Sequence, residues 1–191
     1  MTERIVPLTP ELWPAFETLF GKDGACYGCW CTYFRLSPAA RRGSDRQRNR
    51  DLIRTRIEAG PPPGLLALRD GSAIAWMQVG PRSDVPEWNN SGRGSAPVEP
   101  ADAQDPGMWA ISCFFIHNRF RRQGLTHRMV EAGIGFARAS GARALEACPM
   151  DRSKDSRSIG LFVGSTRVFE RAGFEAVARR KPGRPLMRLM L

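Results

Sequence analysis

The chain has 191 residues, 42% of them hydrophobic and 25% charged, a balance that supports one sizeable core and excludes wholesale disorder. Lysine and arginine number 29 against 19 acids, a net charge of +10, and five cysteines fit free thiols better than a disulfide framework. No apolar stretch approaches the roughly 18 residues that span a bilayer, so no membrane partner is expected. Residues 3–8 alternate weakly, as a strand does. Thr9-Pro10 then reads as the cap and first position of a helix over 10–20, where Leu12, Phe16 and Leu19 recur at helical spacing. After a cysteine-rich loop, Leu52, Ile53, Arg56 and Ile57 mark a second helix over 45–59, ended by Gly60 and three prolines. Asp70-Gly71 sits between two apolar runs and predicts a hairpin of strands 65–69 and 73–79.

Residues 82–107 carry neither period and several Pro and Gly, so they read as a long loop that is a lid, a binding loop or disordered. A buried strand follows over 108–117, then a helix from Leu125 whose apolar face runs through Met129, Phe136 and Ala137 to Ser140-Gly141. A short strand over 144–148, a helix over 165–172 and strands over 174–179 and 186–191 complete the chain. The order β-α-α-β-β-β-α-β-α-β-β predicts an α+β fold with a mixed sheet. The N-terminal residues Met1-Thr2-Glu3-Arg4-Ile5 carry an acid and enter no apolar signal core, which makes the cytoplasm the expected location.

Of the 29 bases, 26 are arginines, and they are scattered along the whole length. That pattern reads first as an Arg-biased solvated surface, with nucleic acid as a weaker expectation. The informative stretch is Arg121-Arg122-Gln123-Gly124-Leu125-Thr126, where a buried strand turns into a helix N-terminus. Unpaired N–H groups there, the helix dipole and a glycine without Cβ make an anion site. Neither a P-loop nor a dinucleotide fingerprint occurs, so the ligand is another phosphorylated molecule.

This stretch, with Val168-Phe169-Glu170-Arg171-Ala172-Gly173-Phe174, resembles the GNAT superfamily of acyl-CoA-dependent N-acetyltransferases, whose signature is Arg/Gln-x-x-Gly-x-Gly/Ala. Residues 108–191 carry the resemblance well and the first hundred in outline. Thr126 departs from it, standing where the family has Gly or Ala. The resemblance implies one GNAT-like domain over residues 1–191, with a twisted, mostly antiparallel mixed sheet of about six or seven strands and about four helices. It implies acetyl-CoA as donor, no metal, and direct transfer of acetyl to a primary amine. The backbone of Phe114, Phe115 and Ile116 would pair with the pantetheine arm. The amides of Arg121, Arg122, Gln123, Gly124, Leu125 and Thr126 would hold the pyrophosphate.

Many relatives protonate the departing thiolate with a Tyr that is Phe169 here, so either the thiolate, with a pKa near 8.5, leaves without help or Ser165 or Thr166 orders a water in its stead. Glu146, Cys148, Ser112, Cys113, Asp84 and Glu87 are the candidates for removing the amine proton, each against a plainer reading as core lining or solvated acid. Cys26, Cys29 and Cys31 lack the second ligand pair of a structural zinc site. Trp30, Tyr33 and Phe34 are expected to line the acceptor pocket. Five loop acids, Asp84, Glu87, Glu99, Asp102 and Asp105, predict a cationic acceptor. The competing reading is a non-catalytic CoA-binding or nucleic-acid-associated module on the same fold, with the Arg-rich residues 41–56 docking RNA.

Overall fold

The computed structural model describes residues 2–151 and 162–191. Seven strands, β1 (Glu3–Pro7), β2 (Gly64–Arg69), β3 (Ser72–Pro81), β4 (Met108–Ile116), β5 (Ala144–Ala147), β6 (Glu175–Lys181) and β7 (Arg184–Met190), form one sheet. Their order is β1-β2-β3-β4-β5-β7-β6, and every neighbouring pair is antiparallel except β4 with β5. The helices are α1 (Trp13–Phe20), α2 (Pro38–Arg42), α3 (Arg46–Ala59), α4 (Leu125–Ala139) and α5 (Thr166–Arg171). The single α+β domain and its mixed sheet agree with the sequence reading.

The apolar runs of β2 to β4 are continuous because the sheet is covered on both faces. Leu65, Ala67 and Phe114 pack with Leu125, Met129 and Phe169 of α4 and α5. Leu66, Leu68 and Trp76 pack with Phe16 and Phe20 of α1 and with Ile53 and Ile57 of α3. Alternate residues therefore serve opposite cores, as the strand period of two requires.

Local expectations are corrected in three places. Thr9 makes no side-chain cap; it leads into a 3-10 turn, Pro10–Leu12, and the α-helix begins at Trp13. Pro10 and Pro14 remove N–H groups that a regular first turn would organise. The short α2 was not foreseen, although Ser37-Pro38 carries its start signal and the Ser37 hydroxyl accepts from the Ala40 amide (3.2 Å). The third concerns residues 82–107, where of lid, binding loop and disorder the last is excluded, because the segment is ordered. Three 3-10 turns carry Arg82, Val85, Trp88 and Asp102 into the interior, where Val85 and Trp88 pack on Ala110 and Leu186.

Ion pairs tie that segment down. Asp84 is held by Arg56 (2.6 Å) and Arg35 (3.3 Å). Burial pushes its carboxyl up, but the hydrogen bonds and charges of Arg56 and Arg35 outweigh burial and hold it below the usual value. Folding thus favours ionised Asp84, so the contribution is complete above the unfolded carboxylate range and is lost as pH falls through the lower folded value. Asp84→Asn is expected to lower the unfolding midpoint at pH 7, with the gap from wild type closing below about pH 4. Midpoints recorded across pH 3–8 check this; a gap that persists at the acid end refutes it.

Candidate active site

Strand β4 supplies the scaffold. On one side β3 follows it throughout, with a register skip at Ser112, since Gln78 faces Cys113 and Val79 faces Ile111. On the other side β5 pairs only from Met108 with Ala144 to Ile111 with Ala147. Beyond Ile111 the two strands part, and among the described residues no strand pairs with the Ser112 to Ile116 edge. An extended ligand can add to such an edge through its own amides. The Ile116 carbonyl on that edge already accepts from Arg121 Nε (3.0 Å), whereas the His117 amide turns to the Ile74 carbonyl beside β3 (3.0 Å), so Phe114 is the next residue whose backbone faces the open side.

The chain then turns into α4. Arg122 (φ +61°) and Gly124 (φ +74°) take left-handed conformations, and backbone of this kind gathers successive N–H groups into an anion-binding concavity. Among the described residues, the amides of Arg122, Gln123, Gly124, Leu125 and Thr126 have no acceptor. Nothing lies within 4 Å of where a Gly124 Cβ would stand, so the space in front is open. The Gln123 side chain supports the loop from behind, donating to the Arg119 carbonyl (3.1 Å) and accepting from Arg69 (3.2 Å). Arg69 and Arg128 both pair with Glu3 at 2.9 Å, which ties the cradle to β1.

On the α1 and α3 face of the sheet, β4 borders a cavity of about 570 Å³, the size of a drug-like ligand site. Ser112, Cys113 and Phe115 come from β4, and Tyr33 and Phe34 from the loop before α2. The two rings meet edge to face at 5.0 Å. The Ser112 hydroxyl is buried and has no hydrogen-bond partner among the described residues. Four cations also border the cavity: Arg41, Arg93, Lys181 and Arg184.

The structure divides the expected residues. Tyr33 and Phe34 line the cavity, but Trp30 does not; it is 2% exposed and stacks on Phe20 (5.4 Å) inside the core. Glu146 is a correction of another kind, because it is fully buried between Arg82 and Arg188 (2.8 Å) and lies outside the cavity lining. A carboxylate clamped by two guanidiniums is a structural anion and a poor base. Asp84 and Glu87 are likewise engaged, Glu87 by Arg93 (3.0 Å).

The cysteines fit nucleophilic chemistry poorly. Cys113 borders the cavity, but its hydrogen bond toward Cys31 and its burial push its thiol well up. The same contact draws Cys31 down. Burial also raises Cys148, which lies beside the Arg184 carbonyl and not at the cavity. No group of His, Cys, Asp or Glu among the described residues is placed to hold a metal. Phe169 is buried between Phe114 (6.3 Å) and Phe174 (5.2 Å), on the opposite face of β4 from the cavity. Ser165 and Thr166 sit at the start of α5, and Ser165 bridges to Met150.

The loop acids are engaged elsewhere or exposed. Asp84 and Glu87 are paired as above, Asp102 with Arg188 (2.8 Å) and Asp105 with Arg143, while Glu99 is exposed. None of the five borders the cavity. Arg41, which the sequence places only at the start of a segment that would dock RNA, and Arg184, which nothing local marks, do border it.

No helix among the described residues is long and apolar enough to cross a membrane. No curated protein matches the sequence. Solved structures of similar fold include the GNAT domain of S. lividans PAT, at 17% identity, covering 100% of this chain and 92% of that one with a TM-score of 0.57. The polyamine N acetyltransferase of Drosophila melanogaster matches at 12% identity, with 100% of both chains covered and a TM-score of 0.56. The yncA protein of Salmonella typhimurium, solved with its cofactor acetyl-CoA, matches at 17% identity over 100% of this chain and 95% of that one, with a TM-score of 0.54. Identities this low establish a common fold. The sequence itself matches the acetyltransferase (GNAT) family over residues 27–174, which include the parted strands and the amide cradle. The chain belongs to the GNAT family of acetyltransferases.

Proposed function

We propose that the chain is a cytoplasmic, acetyl-CoA-dependent N-acetyltransferase that passes acetyl directly to a primary amine. One observation carries the reading: five amides without acceptors at the start of α4 stand beside a strand edge that opens onto a separate cavity. The five described cysteines are free thiols, which suits a reducing compartment.

Each group has a task. The outward-facing amide and carbonyl of Phe114 pair with the pantetheine arm, and the amides from Arg122 to Thr126 hold the pyrophosphate with Arg121 and Arg122 beside them. Acetyl-CoA supplies a thioester whose carbonyl oxygen becomes negative on attack. A backbone N–H at the parted edge of β4 stabilises that oxygen. The amine must reach its neutral form, and the cavity offers no carboxylate among its described lining to take a proton. Nearby like charge does part of this work, since cations destabilise an ammonium ion. The buried Ser112 hydroxyl is the polar group placed to receive the amine or a water that carries its proton. With Phe169 in place of a hydroxyl, CoA leaves as a thiolate of pKa about 8.5, which slows the step without blocking it.

Thermal unfolding with acetyl-CoA tests the donor site: ligand at 100 times its dissociation constant adds about 2.7 kcal/mol and raises the midpoint by several degrees. Release of free thiol on adding an amine then separates an enzyme from a module that only binds. Incubation with acetyl-CoA alone is expected to leave no acetyl adduct on Cys113 or Cys148 by intact-mass spectrometry. Such an adduct would replace direct transfer with a covalent route. A midpoint shift with an RNA duplex but none with acetyl-CoA would favour the nucleic-acid module.

A further inference from the structure

We propose that the acceptor is an anionic amine: a primary amine carrying a carboxylate or phosphate on an apolar body. The proposal rests on the acetyltransferase reading and goes beyond it by naming the substrate class. The charge around the cavity carries the inference. Arg41, Arg93, Lys181 and Arg184 border it, and no Asp or Glu does among the described residues. Glu87 neutralises Arg93 from outside the lining (3.0 Å). Arg41, Lys181 and Arg184 have no carboxylate partner among the described residues.

Two of these cations are fixed in place before any ligand arrives. Arg41 Nη1 donates to the carbonyls of Tyr33 and Leu36 (2.6 and 2.8 Å), and its guanidinium lies over the Tyr33 ring at 4.3 Å. Its Nε and Nη2 have no acceptor among the described residues. Arg184 donates through Nε to the Pro149 carbonyl (3.2 Å) and through Nη2 to the Cys148 carbonyl (2.9 Å), leaving Nη1 without an acceptor there. A guanidinium held by its own backbone contacts loses little entropy when it binds an anion. Tyr33, Phe34 and Phe115 complete an apolar surface for the acceptor's body.

The two chemical needs of the site then fit together. Cations bind the acceptor's anion and, by the same field, favour the neutral nucleophilic form of its amine. A polyamine brings only positive charge and meets repulsion at Arg41, Lys181 and Arg184. The buried Ser112 hydroxyl, without a partner, marks a polar point on the β4 side for the amine.

The test compares matched acceptors at saturating acetyl-CoA, reading thiol release: L-phenylalanine against phenethylamine, O-phosphoethanolamine against ethanolamine, and spermidine alone. The anionic member of at least one pair is expected to lead by about 30-fold or more in kcat/KM, as loss of a charge-assisted contact implies. Which pair shows the preference identifies the anion as carboxylate or phosphate. Arg41→Gln, and separately Arg184→Gln, should cut that ratio at least tenfold, the anionic amine losing far more turnover than the uncharged-body amine, which loses only the effect of the field on its amine. A merely structural defect would lower both members alike and would overturn the assignment of that arginine. Equal turnover within both pairs, or a lead for spermidine, overturns the proposal and leaves acetyl transfer standing. No turnover of either anionic amine, with acetyl-CoA still raising the midpoint, also overturns it. Loss of the acetyl-CoA shift itself sinks the function on which it rests.

Discussion

Gly124→Trp is expected to lower kcat/KM for acetyl-CoA by about 10² to 10⁴, with most of the loss in KM. The magnitude follows from two broken charge-assisted hydrogen bonds at roughly 1.5–3 kcal/mol each. Gly124 stands at φ +74°, so any side chain there adds about 1–2 kcal/mol of backbone strain. Its Cβ would meet nothing within 4 Å, so a side chain leaves the backbone there without a clash. The indole fills the space that a pyrophosphate would take in front of the amides from Arg122 to Thr126. Gly124→Ala separates the two effects, because it carries the strain with almost none of the bulk. That variant should stay within tenfold of wild type, and both should unfold within a few degrees of one another without ligand. A Trp variant that keeps its acetyl-CoA midpoint shift would move the phosphate site away from α4.

The cradle was legible because it is local. Strand, turn and helix start lie on contiguous chain, and the geometry of six residues is fixed by a glycine and a helix N-terminus. The cavity is assembled differently: α2 brings Arg41, the β4 bulge brings Ser112, and the start of β7 brings Arg184. No spacing rule connects those positions. Trp30 and Tyr33 look alike as aromatics in a cysteine-rich loop, yet a positive φ of 45° at Trp30 accompanies a ring stacked on Phe20, while Tyr33 stays exposed. Net charge reads first as a solvated Arg-rich surface, which does not say where cations gather, yet four of them border the cavity. Counting loop acids suggested a cationic acceptor, because the sequence does not reveal that Arg35, Arg56, Arg93, Arg143 and Arg188 neutralise four of the five.

Glu146 shows the same limit and carries the second large effect. An acid in a short apolar strand looked like a base, since its partner Arg82 lies 64 residues away. Both side chains are fully buried. Arg82 also stacks over Trp88 (4.6 Å) and donates to Asn89 (3.0 Å) and to the Ser95 carbonyl (2.7 Å). Burial pushes its guanidinium down to about 10, which still leaves it charged at neutral pH. Arg82→Met is therefore expected to destabilise the protein by about 3–5 kcal/mol, the cost of leaving a buried partner charge short of its counter-ion. For a chain of this size that is a fall of roughly 6–20 °C in the midpoint.

Replacing both partners, Arg82→Met with Glu146→Leu, removes the stranded charge and should recover at least about 1 kcal/mol relative to the sum of the single variants. Function follows because Arg82 fixes the segment that presents Arg93, Gly94 and Ser95 to the cavity. The KM for the acceptor should rise in Arg82→Met while that for acetyl-CoA stays near wild type, since the cradle hangs from β1 and α4 instead. A midpoint change under about 2 °C would mean that water or Arg188 alone satisfies Glu146, and that residues 82–107 are held by the packing of Val85 and Trp88.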